Sequence, residues 1–397
     1  MSLLSEKMGK GDFFAESQRV MALGVYPYFR PIQSDQDTVV TINNKRVLMF
    51  GSNSYLGLTN HPKLKEGAIN AIKKYGTGCA GSRFLNGTLD IHLELEERLA
   101  QLVGKEAALV YATGFTVNSG VIPCIAGRGE YLIYDERDHA SIIEGKRLSF
   151  ATSLKYKHND MESLEKNLQR CEIDKFKLIV ADGVFSMEGD IAKIPQMVKL
   201  AKKYKAALYI DEAHSLGVFG QNGRGICNHF DATDDVDLIM GTFSKSLGTI
   251  GGFIASDKTT IESVKHVSRT LIFSASITPA STGCVLAALD VMAEESWRQK
   301  ALWENTQHAK DAFVAAGFEI GPTHSPIIPI YVRDNEKTFK LTNMCMEDGV
   351  FINPVVAPAV SSEDTLIRYS LMATHTPDQI DESIKKISVA AKKLGII

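Results

Sequence analysis

Residues 207–214 read Ala-Leu-Tyr-Ile-Asp-Glu-Ala-His, and residues 238–245 read Leu-Ile-Met-Gly-Thr-Phe-Ser-Lys. In both segments a short apolar run ends on polar residues. Similar runs occur at residues 107–111, 131–134 and 177–180. Short, almost continuously apolar runs are typical of strands that are buried on both faces of a parallel sheet. Because helical segments alternate with them, the sequence predicts an α/β fold with right-handed crossovers.

The composition is that of an ordinary globular protein. The chain has 397 residues, of which 44% are hydrophobic and 23% charged, and its formal net charge is -3. This balance argues against a nucleic-acid binder, which needs clustered Lys and Arg. The six cysteines are scattered without a C-x-x-C pair, so a reducing compartment is expected.

The N-terminal sequence and the hydropathy of the chain indicate its location in the cell. The N-terminus lacks the basic start and apolar run of a signal peptide, and no apolar run approaches the length of about 18 residues that a membrane-spanning helix needs. We therefore expect a cytoplasmic protein. The sequence leaves peripheral contact with the inner face of the cell membrane open.

Three regions are predicted from the changing pattern. Residues 1–45 are expected to form an N-terminal helix and an extended arm. Residues 46–285 form a large domain of alternating strands and helices, and residues 286–397 a small α+β C-terminal domain.

The ends of the apolar runs carry the candidate functional residues. They are followed by Thr113-Gly114-Phe115, Asp138-His139, Asp182 to Ser186, Asp211 to His214, and Thr242 to Lys245. Ligands of an open parallel sheet collect at the carboxyl ends of its strands. All five sets are therefore predicted to face one crevice.

The Gly114 turn and the Lys245 loop each have a functional and a plain interpretation. A glycine before the helix that we expect near Asn118 lets backbone N–H groups approach an anion, and Thr242 and Ser244 would add hydroxyl donors. Alternatively, it is an ordinary turn between strand and helix. Lys245 would have a lowered pKa near desolvating walls and could form a Schiff base, whereas most lysines are simply solvated.

Asp211 ends an apolar run, and a buried carboxylate is costly unless it meets a cation such as a protonated pyridine nitrogen. Asp211 and His214 are also metal-ligand types. No third ligand follows at a suitable spacing, so no metal site is predicted.

Several long motifs resemble those of the α-oxoamine synthases, a family of fold-type I pyridoxal-phosphate enzymes. The matching stretches are residues 49–58, 76–88, 138–141 and 211–217 together with the Lys245 loop. The resemblance covers nearly the whole chain. It implies an aminotransferase-like large domain with a mainly parallel seven-stranded sheet, and a homodimer with shared active sites.

The resemblance assigns roles around the cofactor, pyridoxal 5'-phosphate. Lys245 would form the Schiff base, and Asp211 would pair with the pyridinium nitrogen. His139 would stack on the ring and orient the substrate carboxylate. His214 would hydrogen-bond the phenolic oxygen, and Ser186 would lie close to the ring.

The remaining implied contacts concern the phosphate and the substrate. Gly114, Phe115, Thr242 and Ser244 would hold the phosphate, with Ser274 and Ala275 reaching it from the neighbouring subunit. Arg368 follows Leu366 and Ile367 in an apolar run, so it needs an anion; by resemblance it binds the amino-acid carboxylate, with Asn53 and Ser82 also at the substrate site. A structural ion pair is the alternative for Arg368.

The family joins an amino acid to an acyl thioester with loss of carbon dioxide. Residues 78–90, 184–190 and 370–376 are most similar to members that condense L-serine with palmitoyl-CoA to 3-ketosphinganine, the first step of sphingolipid synthesis. Glycine with acetyl-CoA, the 8-amino-7-oxononanoate reaction, and another small amino acid stay open as alternatives. So does a non-catalytic subunit, although retention of Lys245 argues against it.

Overall fold

The predicted strand ends meet at one edge of a central sheet. This arrangement comes from a computed structural model, which describes residues 2–357 and 359–397. The strands are β1 (Val39–Ile42), β2 (Lys45–Met49), β3 (Ala107–Tyr111), β4 (Tyr131–Asp135), β5 (Thr152–Tyr156), β6 (Lys177–Asp182), β7 (Ala207–Asp211), β8 (Leu238–Thr242), β9 (Gly252–Ser256), β10 (Ile327–Tyr331), β11 (Val350–Phe351), β12 (Asn353–Val355) and β13 (Leu366–Ser370).

The central sheet has seven strands in the order β3-β9-β8-β7-β6-β4-β5. Only β9 runs against its neighbours β3 and β8, while the other pairs are parallel. Every residue of β6, β8 and β9 is buried. This burial matches the continuous apolar runs and confirms the predicted α/β fold with its mainly parallel seven-stranded sheet.

Some of the helices cover this sheet and connect its strands, and the others belong to the N-terminal and C-terminal parts of the chain. They are α1 (Leu3–Gly9), α2 (Asp12–Ala22), α3 (Pro62–Tyr75), α4 (Asp90–Val103), α5 (Gly114–Ile125), α6 (Ala140–Leu148), α7 (Met161–Gln169), α8 (Ile194–Tyr204), α9 (Ile226–His229), α10 (Lys258–Val267), α11 (Arg269–Ile272), α12 (Pro279–Glu294), α13 (Trp297–Ala315), α14 (Asn335–Glu347) and α15 (Pro377–Lys393). None of the helices in the described part of the chain is long and apolar enough to cross a membrane.

Two three-stranded sheets lie outside the central one. Strands β10, β13 and β12 form one, and the β1–β2 hairpin pairs with β11 to form the other. The second sheet joins the start of the chain to its C-terminal part. The predicted domain boundary at residue 45 falls inside the β1–β2 hairpin, and the division into domains stays a prediction.

The helix expected near Asn118 begins earlier than predicted. It starts at Gly114, because the Thr113 hydroxyl accepts a hydrogen bond from the backbone N–H of Thr116 and caps the helix. Gly114 and Phe115 therefore lie in the first turn of α5 rather than in a loop.

Candidate active site

A cavity of about 310 Å³ lies at the carboxyl edge of the central sheet. The predicted residues that line it are Gly114, Phe115, His139, Asp211, His214, Thr242, Ser244 and Lys245. They converge because the parallel strands end in register; Asp182 and Asp211, for example, are paired across β6 and β7. The prediction of one shared crevice is confirmed for these residues.

Lys245 lies half-buried in the turn between β8 and β9. Burial lowers the pKa of its ammonium to about 8, although the carboxylates of Asp211 and Asp182 oppose this shift. An amine with this pKa is partly neutral near physiological pH. Lys245 can therefore act as a nucleophile or as a base.

Asp211 is buried at the end of β7. One carboxylate oxygen accepts from the Asn118 side-chain amide at 2.7 Å, and the other from the backbone N–H of Ala213 at 2.9 Å. Each oxygen keeps a further lone pair. The carboxylate is fixed in orientation and can still accept from a protonated ring nitrogen.

Asn118, whose functional importance the sequence did not reveal, organises this side of the cavity. Its amide nitrogen donates to Asp211 and, at 2.9 Å, to the Ser141 hydroxyl, while its oxygen accepts from the Tyr209 hydroxyl at 2.5 Å. Every one of these partners is buried. The sequence feature that could have pointed to Asn118 is its polar amide side chain within the apolar run that includes Val117 and Ile122.

His139 caps the N-terminus of α6 and carries its proton on a defined nitrogen. Its Nδ1 accepts from the Ser141 backbone N–H at 3.2 Å and lies 2.7 Å from the Ser141 hydroxyl. Since that hydroxyl accepts from Asn118, its own hydrogen is free to point to Nδ1. Burial lowers the pKa of His139, so the neutral ring donates through Nε2.

Asp182 is a second carboxyl group beside Asp211. Burial, together with the neighbouring Asp211, raises the pKa of Asp182 well above its usual range. One oxygen of Asp182 accepts from the backbone N–H of His139 at 2.8 Å. Asp182 therefore positions the backbone of His139.

His214 is joined to Tyr55, a second residue to which the sequence analysis gave no role. The Tyr55 hydroxyl lies 2.7 Å from Nδ1 of His214 and 3.3 Å from the Arg368 guanidinium. Arginine only donates, so the tyrosine oxygen accepts from Arg368 and its hydrogen goes to His214. Burial holds the pKa of His214 well below its usual value, so the neutral ring carries its proton on Nε2.

Arg368 is a buried cation whose hydrogen-bond partners are all neutral. It donates to the carbonyl of Ser186 at 2.6 Å, the hydroxyl of Ser370 at 2.7 Å and the hydroxyl of Tyr55. Among the described residues no carboxylate forms an ion pair with it, so the alternative of a structural ion pair is wrong. The charge of this buried guanidinium is therefore available to an external anion.

An anion cradle lies at the start of α5. The N–H groups of Gly114 and Phe115 have no acceptor within the helix, and the hydroxyls of Thr242 and Ser244 lie 3.0 Å apart beside them. A Cβ at position 114 would lie 2.6 Å from the Thr242 hydroxyl oxygen. Only glycine permits this close approach of helix and strand.

The other predicted site residues do not line this cavity. Ser186 contributes its carbonyl to Arg368, and the Asn53 side-chain oxygen lies 3.5 Å from the Tyr55 hydroxyl. The Ser82 hydroxyl is buried without a partner among the described residues. Ser274 and Ala275 lie in the exposed loop between α11 and α12. Their assigned roles stay predictions.

The cavity residues fit the functional groups of pyridoxal 5'-phosphate. The cradle matches a phosphate, Asp211 a protonated ring nitrogen and the amine of Lys245 an aldehyde, while His214 offers a donor for a phenolic oxygen. Fold and site together define a pyridoxal-phosphate-dependent enzyme of fold type I.

Comparison with known proteins agrees with this class. The chain belongs to the aminotransferase class I and II family, whose model matches residues 45–387, and within it to the α-oxoamine synthase group. The cofactor of the family is pyridoxal 5'-phosphate.

Similar proteins cover the full length of the chain. A serine palmitoyltransferase of Bacteroides ovatus is 58% identical over 397 residues, which is 100% of both chains. A serine palmitoyltransferase of Sphingobacterium spiritivorum is 58% identical over 99% of this chain and 98% of its own. A solved structure described as SPT with a PLP internal aldimine has a TM-score of 0.96 at 35% identity and covers 100% of both chains.

Proposed function

We propose that this chain condenses L-serine with palmitoyl-CoA to give 3-ketosphinganine, CoA and carbon dioxide. The observation that carries the proposal is the buried Arg368, which lacks an anionic partner and is linked through Tyr55 to the His214 wall of the Lys245 cavity. An amino-acid carboxylate supplies the missing anion. The names of the full-length relatives support serine and a palmitoyl donor.

Different residues of the chain have different roles in this reaction. Bound pyridoxal phosphate supplies an aldehyde that captures the amino group and a ring that withdraws electrons from Cα. Arg368 holds the substrate carboxylate and so fixes the orientation of Cα. The Lys245 amine, with its lowered pKa, takes the proton from Cα. The Nε2–H group of His139 hydrogen-bonds the substrate.

Asp211 and His214 keep two protons in place. The Asp211 carboxylate, held by Asn118, stabilises a proton on the ring nitrogen. His214 would donate a hydrogen bond from its Nε2–H to the phenolic oxygen, because Tyr55 occupies Nδ1. Cα then attacks the thioester carbonyl and CoA leaves. The carboxylate departs as carbon dioxide, and the Lys245 ammonium returns a proton to Cα.

The identity of the amino acid is tested by titrating the visible spectrum of the holoenzyme. We expect L-serine to change the spectrum at lower concentration than glycine or L-alanine, and palmitoyl-CoA then to release more CoA than acetyl-CoA or pimeloyl-CoA. Glycine with acetyl-CoA, or L-alanine with pimeloyl-CoA, as the preferred pair would overturn the proposal in favour of another α-oxoamine synthase reaction.

We also propose that the active sites are shared in a homodimer. Ser274 and Ala275 lie away from the cavity of their own chain and next to Phe273, which is 75% exposed. They would therefore reach the phosphate of the partner subunit. Mixing inactive Lys245→Ala subunits with weakly active Ser274→Trp subunits should restore one intact site per mixed dimer. No recovery of activity would contradict shared sites.

A cytoplasmic location with peripheral membrane contact completes the proposal. Leu3, Leu4 and Met8 of α1 are all exposed, next to Lys7 and Lys10. Exposed apolar side chains beside basic ones suit the surface of an anionic bilayer. Sedimentation with anionic vesicles should fall when these three residues are changed to serine. Unchanged sedimentation would contradict the membrane contact.

A further inference from the structure

His158 lies outside the cofactor cavity but connects two segments that carry residues of the candidate active site. The first segment is the end of β4 with the turn after it, which leads to His139 of the cavity. The second is the loop 183–192 after β6, which includes Ser186, the residue whose carbonyl accepts from Arg368.

The imidazole of His158 forms a hydrogen bond to a carboxylate of each segment. Its Nδ1 lies 3.0 Å from an oxygen of Asp135, the last residue of β4, and its Nε2 lies 3.0 Å from an oxygen of Asp190 in the loop. Burial disfavours the charged ring, but the two carboxylates raise the pKa of His158 to about 9, so both nitrogens carry a proton at neutral pH. Among the described residues no other cation pairs with either carboxylate.

Asn159 supports this bridge from the adjacent position. Its backbone N–H donates to Asp135 at 2.8 Å, and its side-chain amide donates to Asp190 at 2.8 Å and to the carbonyl of Ile191 at 2.9 Å. The other oxygen of Asp190 is buried and has no partner among the described residues. The orientation of this carboxylate therefore depends on His158 and Asn159.

Asp135 is joined to the cofactor side of the site through Asp138. One oxygen of the Asp138 carboxylate accepts from the backbone N–H of Asp135 at 2.8 Å, and the other accepts from that of Asp182 at 2.9 Å. Asp182 in turn accepts from the backbone N–H of His139 at 2.8 Å. The position of Asp135 therefore helps to fix the backbone of His139.

The loop is joined to the substrate side of the site through Ser186. The ring of Phe185 packs edge-on against His158 with ring centroids 4.4 Å apart, and the Phe185 backbone N–H donates to the carbonyl of Asp190 at 3.0 Å. Ser186 follows directly, and its carbonyl accepts from Arg368 at 2.6 Å. His158 thus contacts both ends of the short turn that holds Arg368.

We propose that His158 is a positioning residue for amino-acid binding, which fixes Arg368 relative to the cofactor by bridging the end of β4 to the loop 183–192. The proposal rests on the proposed role of Arg368 as the site for the substrate carboxylate. The amino group and the carboxylate of the substrate are held at two different places, so the relative position of these places sets the orientation of Cα. Without the imidazolium, two carboxylates of like charge face each other, and we expect the loop to shift away from β4.

Removing the bridging charge tests this role. His158→Gln keeps a hydrogen-bonding side chain but removes the charge. The visible spectrum of the holoenzyme gives the Kd of L-serine and that of serinol, in which a hydroxymethyl group replaces the carboxylate. We expect the Kd of L-serine to rise roughly threefold to thirtyfold while that of serinol stays at its wild-type value. In steady-state kinetics, KM for L-serine should rise and KM for palmitoyl-CoA should not.

Asn167→Leu is the matched control. Asn167 is buried in α7 and donates to the carbonyl of Lys155 in β5, so its loss weakens the same part of the fold without removing a bridge contact. It should lower the Tm and leave both dissociation constants unchanged. Equal weakening of L-serine binding by Asn167→Leu and His158→Gln would overturn the proposal, and so would equal weakening of L-serine and serinol binding by His158→Gln.

Asp190→Asn keeps the proposal testable if His158→Gln does not fold. It removes one charge of the bridge with little change of shape, and it should also weaken the binding of L-serine relative to serinol. An unchanged ratio of the two dissociation constants in this variant would overturn the proposal.

The outcome is separable from that of the proposed reaction. Absence of CoA release from every acyl-CoA would refute the condensation, whereas the bridge is tested by amino-acid binding alone. If wild-type holoenzyme responds to glycine rather than to L-serine, the identity of the substrate changes, and glycine with ethanolamine becomes the pair that decides on His158.

Discussion

Single residues set where protons reside in this site, and Tyr55 is the clearest case. It accepts from Arg368 and donates to His214, so one hydroxyl connects the substrate-binding cation to a cofactor-binding imidazole. Without it, His214 is free to carry its proton on Nδ1 and Arg368 loses one of its fixed contacts.

Tyr55→Phe should therefore weaken L-serine binding. Loss of a hydrogen bond to a charged group costs about 1.5–3 kcal/mol, which is roughly tenfold to a hundredfold in Kd from the spectral titration. Tyr369→Phe is the matched control, because it removes an equally buried hydroxyl whose partner among the described residues is Ser383. Equal effects of the two substitutions would contradict a specific role for Tyr55.

Asn118→Leu should release the cofactor faster. The substitution leaves the Tyr209 hydroxyl unpaired and Asp211 without one of its donors, at a cost of about 1–3 kcal/mol per buried group. Cofactor retention during dialysis measures the effect. Asn305→Leu removes a buried amide that bonds the carbonyls of Met372 and His375 and does not line the cavity, and it should reduce stability without accelerating cofactor loss.

The lowered pKa of Lys245 predicts how cofactor capture depends on pH. Only the neutral amine attacks an aldehyde, so the capture rate of the apoenzyme should rise with pH and level off above about 8. Stopped-flow absorbance after addition of pyridoxal phosphate measures the rate. A midpoint near the ordinary lysine pKa of 10.5 would contradict desolvation of this amine.

The sequence identified most of the cavity residues for a physical reason. Residues such as Asp211 and Lys245 directly follow apolar strands, and strand ends converge in a parallel sheet. Asn118 and Tyr55 lie within a helix and a loop, and their partners come from distant parts of the chain. Spacing alone does not reveal such contacts.

At the scale of elements, the buried strands were predictable and the less regular ones were not. Strand β5 (Thr152–Tyr156) is an edge strand with one buried residue, and β9 begins at a glycine after a glycine-rich turn. The apolar run of β9 is only three residues long, Phe253 to Ala255, and β5 has no such run, so the pattern on which the prediction depends is weak in one strand and absent in the other. Residues 285–318 have a long helical pattern in the sequence, but they fall in two helices, α12 and α13, because the backbone of Glu295 leaves the helical region.

His158 joins three elements and should stabilise the fold in a pH-dependent way. It lies 3.0 Å from both Asp135, at the end of β4, and Asp190, in the loop after β6. Burial lowers the pKa of His158, but hydrogen bonds to the two carboxylates outweigh this effect and raise the pKa to about 9. The imidazolium therefore binds these elements together.

His158→Gln should reduce stability most at low pH. Because the folded pKa lies above the unfolded value of about 6.5, the stabilisation is complete below that pH and is lost as pH rises through about 9. The loss of unfolding free energy caused by the substitution should shrink by on the order of 3 kcal/mol between about pH 6 and pH 9.5. His308→Gln, at an exposed pair with Asp381, is the control. A pH-independent effect in denaturant titrations would contradict this account.

At the scale of the whole molecule, the start and the end of the chain are parts of one structure. Strand β2 pairs with β11, and residues 48 and 49 face residues 350 and 351 across that pair. The domains predicted from the sequence place these two segments apart. Pairing between strands so distant in the chain leaves no signal in the local sequence. The N-terminal segment and the C-terminal part of the chain therefore share one three-stranded sheet.

Release of carbon dioxide from carboxyl-labelled L-serine probes the whole proposed condensation, because it requires the amino-acid carboxylate, the acyl donor and Lys245 at one site. On addition of palmitoyl-CoA, the wild-type holoenzyme should release labelled carbon dioxide in equal amount to CoA, and Lys245→Ala should release neither. CoA release without labelled carbon dioxide, or equal release by Lys245→Ala, would contradict the account.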